Sequence, residues 1–97
     1  MNLNEFKEKL KRHRKSDIIF TNHAEIQAFV REVDLEEVKE NIIHPDKLVY
    51  VKEENAKYDC YFAYSRHLYH RYILAINNKI IIVTIIKINR DWQKAIG

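Results

Sequence analysis

Glycine, proline and cysteine each occur once in this chain of 97 residues. The only glycine is the last residue, so no glycine-rich loop can cradle a phosphate, and the common motif classes of nucleotide-dependent enzymes are set aside. Scarce glycine and proline also leave little room for flexible linkers, and neither a low-complexity segment nor an internal repeat is present. Cys60 stands alone, so no intrachain disulfide and no cysteine metal cluster can form, and in an aromatic segment it reads as a small packed hydrophobe. The longest apolar run, Ile80 to Ile86, falls far short of the roughly 20 residues that cross a bilayer. At the start of the chain Leu3, Phe6 and Leu10 are interspersed with lysines and glutamates, unlike the apolar core of a signal peptide. These absences predict a cytoplasmic protein made of one domain over residues 1–97.

Hydrophobic residues make up 46% and charged residues 32%, a balance that supports a folded core and argues against disorder. The net charge of +3 is mild, but its distribution is uneven. Lys7, Lys9, Lys11, Arg12, His13, Arg14 and Lys15 crowd the first segment, while residues 32–40 are mainly acidic. A second basic set, including Arg66, Arg71, Lys87 and Arg90, is interleaved with Tyr58, Tyr61, Tyr64, Tyr69, Tyr72 and Trp92. Such a mixture can meet phosphates and stack bases, or can form a solvated surface over tyrosines packed in a sheet.

Leu3, Phe6 and Leu10 fall at helical spacing and predict a basic first helix over residues 3–14. A short extended link, Ile18 to Phe20, leads to a second helix from Asn22 to Arg31, capped by Thr21 or Asn22, with Ile26, Phe29 and Val30 as its buried stripe. Asp34 followed by Glu37 has the spacing of a capping box and opens a third helix, which ends at His44-Pro45. The period then changes to two. Strands are predicted at residues 48–53, 57–64, 68–76 and 79–88, with a tight turn at Asn77-Asn78. The last strand is continuously apolar and is expected inside the sheet, buried on both faces. The expected fold class is α+β, with N-terminal helices packed on a four-stranded, mainly antiparallel sheet.

His23 occupies the first turn of the second helix, where the helix dipole disfavours the imidazolium and favours a neutral ring. A neutral imidazole on a basic protein suits acid–base work on an anion, and the competing role is to cap or pack the helix. The sequence from Phe20 to Trp92 resembles a widespread small prokaryotic domain family. Its marks are a His-Ala-x-x-Arg helix, a second helix ending in a proline turn, and a strand meander closing on an apolar-Thr-apolar strand. Here these are His23-Ala24, the segment ending Asn41-Ile42-Ile43-His44-Pro45, and Val83-Thr84-Ile85. Gln27 stands where that family carries arginine. The family is grouped with the RelE-like toxins in the barnase–EndoU–colicin–RelE assemblage of metal-independent ribonucleases. The resemblance implies a RelE-like fold and an endoribonuclease, the toxin of a toxin–antitoxin pair, acting on RNA and held silent by an antitoxin.

Cleaving RNA without a metal requires a base for the ribose 2′-hydroxyl, an acid for the leaving oxygen and cations around the pentavalent phosphate. The candidates are His23, His70 and Arg71 as catalytic residues and Tyr61, Lys87 and Arg90 as substrate-binding residues, with no metal and no cofactor. Strand alternation places His70 with Tyr72 and Leu74 on one face and Arg71 with Tyr69 and Ile73 on the other. Thr84 would share a face with Ile82 and Ile86, and its hydroxyl could pair with His23 in a purely structural contact. His67 and His70 are spaced for opposite faces of a strand, which argues against zinc. Two further readings stand beside the nuclease. One is a non-catalytic RNA- or protein-binding module of the same fold, and the other is a homodimer joined at the apolar strand or Trp92.

Overall fold

In the computed structural model, which describes residues 2–89, helix α1 (Leu3–Lys11) begins where the Asn2 side chain accepts the Glu5 N–H at 2.8 Å. Phe6 and Leu10 on its inner face are wholly buried, each contributing roughly 1.5–3 kcal/mol over an exposed position. The helix stops at Lys11, short of the expected Arg14, and a turn of 3-10 helix (Lys15–Asp17) follows. Strand β1 (Ile18–Phe20), helix α2 (Asn22–Val30) and helix α3 (Leu35–Ile43) come next. The antiparallel meander β2 (Leu48–Glu54), β3 (Lys57–Ala63), β4 (Leu68–Asn77) and β5 (Lys79–Asn89) completes the described fold. Asn55 and Ala56, both at positive φ, turn β2 into β3, and Asn78 at φ 53° turns β4 into β5.

The sheet has five strands, not four, in the order β1-β5-β4-β3-β2, and it is mixed because β1 runs parallel to β5. Three residues are too few to show a strand's period, so the segment read as a link was in fact an edge strand. One apolar core lies between a single sheet face and the helices, where Phe6, Leu10, Ala28, Val38 and Ile42 meet Phe62, Tyr72, Leu74, Ile82 and Ile85. β5 does lie inside the sheet. Its other face, however, carries Ile81, Thr84, Ile86 and Ile88 half-buried rather than covered.

Helix α2 reverses its expected orientation. It rests on β5 through Ala24 and Ala28, while Ile26, Phe29 and Val30 point outward at 62, 86 and 69% exposure. Close approach explains the choice, because α2 serves as a cover for the edge of β5 beyond the three residues that β1 reaches. The Thr21 N–H donates to Ile82 O at 3.0 Å, the Thr21 hydroxyl donates to Val83 O at 3.3 Å, and Gln27 Oε1 accepts from Ile85 N–H at 2.8 Å. Small alanines let the helix lie near enough for these contacts. Thr21, rather than Asn22, also caps α2 by accepting from Ala24 N–H.

A β-bulge in β5 changes which residues share a face. Leu74 opposes Ile82 and Ile73 opposes Thr84, so Val83 is an extra residue. Past it the alternation is shifted by one: Ile85, not Thr84, continues the buried face of Ile80 and Ile82. Thr84 therefore faces away from the helices, and the expected pairing with His23 does not form. Asp34 caps α3 by accepting from Glu36 N–H, and no return contact from Glu37 closes a capping box.

Replacing Gln27 with Ala should strand the Ile85 N–H and cost about 1–3 kcal/mol in a denaturant titration. Hydrogen exchange offers the sharper check, since the Ile85 amide should lose protection ahead of the strand centre. An Ile85 amide as protected as before would show that Gln27 does not hold it.

Candidate functional site

The sheet face that no described helix covers carries a cluster set by strand register. Tyr61 and Arg71 are directly opposed on β3 and β4, and Asp59 lies diagonally from Arg71 on the same face. The Arg71 guanidinium makes a two-pronged bond to Asp59, Nε to Oδ1 and Nη2 to Oδ2, both at 2.7 Å. The guanidinium carbon sits 5.5 Å from the centre of the Tyr61 ring, and Tyr50 meets that ring edge-on at 5.4 Å and 68°. Asp59 raises the already high pKa of Arg71, and burial, with Asp59 beside it, raises that of the Tyr61 phenol. Tyr61 is only 6% exposed, so it backs Arg71 rather than offering its own ring.

Beside this pair opens a cleft of about 260 Å³. Arg71 and Asp59 form one side, Ile73, Val83 and Thr84 line the apolar part, and Lys57, Glu54 and Asn55 stand at the β2–β3 turn. The bulge turns both Val83 and Thr84 toward the cleft, so an irregularity in β5 shapes it. Its charges balance: Lys57 and Arg71 against Glu54 and Asp59.

A second polar cluster is buried on the helix side. The Asn41 amide donates to the Tyr72 hydroxyl at 3.1 Å, and that hydroxyl is bonded to His70 Nδ1, also at 3.1 Å. Tyr64 stacks on the His70 ring at 4.2 Å and 16°. Burial first, then Lys87 and Lys47, lowers the pKa of His70 to about 4, so the ring is neutral at pH 7. The Glu37 carboxylate 4.0 Å from Nδ1 does not overturn this, because the Tyr72 hydroxyl already occupies that nitrogen at shorter range. His70 Nε2 is buried with no hydrogen-bond partner among the described residues.

Against protein-family models, curated proteins and solved structures, the chain finds no match.

Of the residues singled out in the sequence, Arg71 and Tyr61 come together on the open face. His70 and Lys87 are cross-strand partners on the opposite, helix-covered face. His23 is exposed in the first turn of α2, on neither cluster. Arg90 and Trp92 lie outside the described residues. Cys60 is fully buried, and burial raises its thiol pKa well above the usual value, so it packs as a hydrophobe. Among the described residues no three of His, Cys, Asp or Glu are placed to hold a metal ion, and no helix is long and apolar enough to cross a membrane.

Sequence reasoning missed Asp59, Asn55 and Asn41 as members of these clusters, and put Tyr72 beside His70 without seeing that its hydroxyl links the ring to Asn41. For Asp59 a signal existed: it is the one acid in the aromatic run Tyr58–Phe62 and shares the parity of Tyr61. For Asn41 none existed, since a polar group on α3 meets Tyr72 on β4 only through the fold.

Proposed function

We propose that this protein is a RelE-like domain that binds single-stranded RNA on the open face of its sheet, as a binding module rather than a nuclease. The observation that carries the reading is the planar Arg71 guanidinium, 5.5 Å from the Tyr61 ring centre and clamped by Asp59 at the side of a base-sized cleft. A planar cation offers a stacking surface to an unpaired base, a mode common where proteins read single-stranded RNA. Both Asp59 oxygens keep a second lone pair after bonding Arg71 and can accept from an exocyclic amine, while Asn55 and Thr84 can bond a base edge. The balanced charge of the cleft suits a neutral base better than a bare phosphate, and Lys57 at its mouth suits the backbone beside that base.

Cleavage, the activity the family resemblance implies, finds less support. Arg71 and Asp59 are locked to each other, Tyr61 holds its proton more tightly than usual, and His70 lies across the sheet. Arg71 and the Tyr61 phenol both hold their protons more tightly than usual, the opposite of what acid–base chemistry near neutrality needs.

Fluorescence anisotropy with a labelled, unstructured RNA oligomer tests the reading. Arg71→Ala should weaken binding at least about tenfold, the scale of one lost stacking contact. Arg71→Lys should not restore it, because an ammonium has no stacking plane. Matching affinity in all three chains would remove RNA from this face. Product formation in EDTA by wild type, absent in Arg71→Ala of matching circular dichroism, would replace binding with cleavage.

A further inference from the structure

Phe29 is 86% exposed, and with Ile26 and Val30 it makes an apolar stripe along the outer face of α2. Three large apolar side chains at i, i+3 and i+4 on a helix whose inner face is alanine are unusual on a water-facing surface. Alongside the stripe runs a groove of about 460 Å³ lined by Ala28, Phe29, Val33 and Leu35, with Glu25 and Asp34 on its rim. Glu32 is exposed nearby at the end of the helix, at φ 56°. No cation pairs with Glu25, Glu32 or Asp34 among the described residues. An apolar stripe and groove edged by carboxylates that no described cation pairs thus face solvent together.

We infer that this surface docks an amphipathic helix of a partner protein, one whose apolar stripe is flanked by lysine or arginine. The stripe supplies helix-in-groove anchors at the usual spacing, and the carboxylate rim supplies the matching sign. A second copy of this chain fits less well, because isologous pairing of α2 on α2 sets the acidic rims against each other. The surface lies on α2, so this inference stands apart from RNA binding on the open sheet face.

Two synthetic amphipathic helical peptides with the same leucine stripe, one flanked by lysines and the other by glutamates, make the test with amide chemical-shift mapping. The lysine peptide should bind with shifts confined to residues 22–35, and the glutamate peptide should bind at least tenfold more weakly. Phe29→Ser, a change at an exposed position, should reduce binding of the lysine peptide at least tenfold with the fold intact. Charge reversal in Glu25→Lys with Glu32→Lys should invert the peptide preference. Equal affinity for both peptides, shifts elsewhere on the molecule, or a wild-type dimer in sedimentation that Phe29→Ser dissociates would each overturn it.

Discussion

Acidification from pH 7 to pH 4 is expected to cost the folded state about 3 kcal/mol through His70 alone. In the unfolded chain the ring titrates at its ordinary value of 6.5, whereas in the fold its pKa is lowered to about 4. Between those values the unfolded state binds the additional proton, so stability falls as pH falls. The contribution is complete above pH 6.5, drains through the window and levels off below the folded value. The physical cause is a ring enclosed by Tyr64, Tyr72 and Phe62, with the Lys47 and Lys87 ammonium charges closer in effect than the Glu37 carboxylate. Urea denaturation across pH 4–7 reads it, compared with His70→Leu, which cannot titrate. The other four histidines and all carboxylates are common to both chains, so the difference between the curves isolates this ring. Its slope should approach about 1.4 kcal/mol per pH unit near pH 5. Parallel curves would mean that His70 is not held neutral by its surroundings.

Removing one oxygen should matter nearly as much. Tyr72→Phe is expected to lower stability by about 2–4 kcal/mol, because the Tyr72 hydroxyl serves both the Asn41 amide and His70 Nδ1, and both are buried. The ring itself is unchanged, so packing against Phe62 at 5.0 Å survives. Adding Asn41→Leu to Tyr72→Phe should recover part of the loss, since an apolar pair leaves fewer stranded polar groups than one amide without a partner. A double variant less stable than Tyr72→Phe alone would show that Asn41 has another buried partner. Because Nε2 of His70 has no hydrogen-bond partner among the described residues, the Tyr72 hydroxyl carries the ring's hydrogen bond, while Tyr64 stacks on its face.

The contrast between α1 and α2 shows how far patterning reads. In α1 the spacing of Leu3, Phe6 and Leu10 identified the buried face, because these are the helix's large apolar residues and all three meet the core. In α2 the same logic chose Ile26, Phe29 and Val30 and was wrong. Periodicity locates a stripe but does not say what lies beneath it. Here the core side was claimed by alanine, since Thr21 and Gln27 must come within hydrogen-bond distance of β5. In β4, strict alternation correctly separated His70 from Arg71, and with them the two polar clusters. In β5 alternation failed at Val83, where the bulge moved Thr84 from the expected helix side to the open cleft.

Legible along the chain were the three helices, the α+β class, the antiparallel meander and the opposite placement of His70 and Arg71. These follow from local propensity and from the periods of helix and strand, which act over a few residues. Packing over long range settled that β1 joins the sheet, that Ala24 and Ala28 face inward, and that Asp59 meets Arg71 at the side of a cleft. Those outcomes depend on backbone groups at a distant strand edge and on one extra residue in β5, so they are set by which segments come to lie side by side.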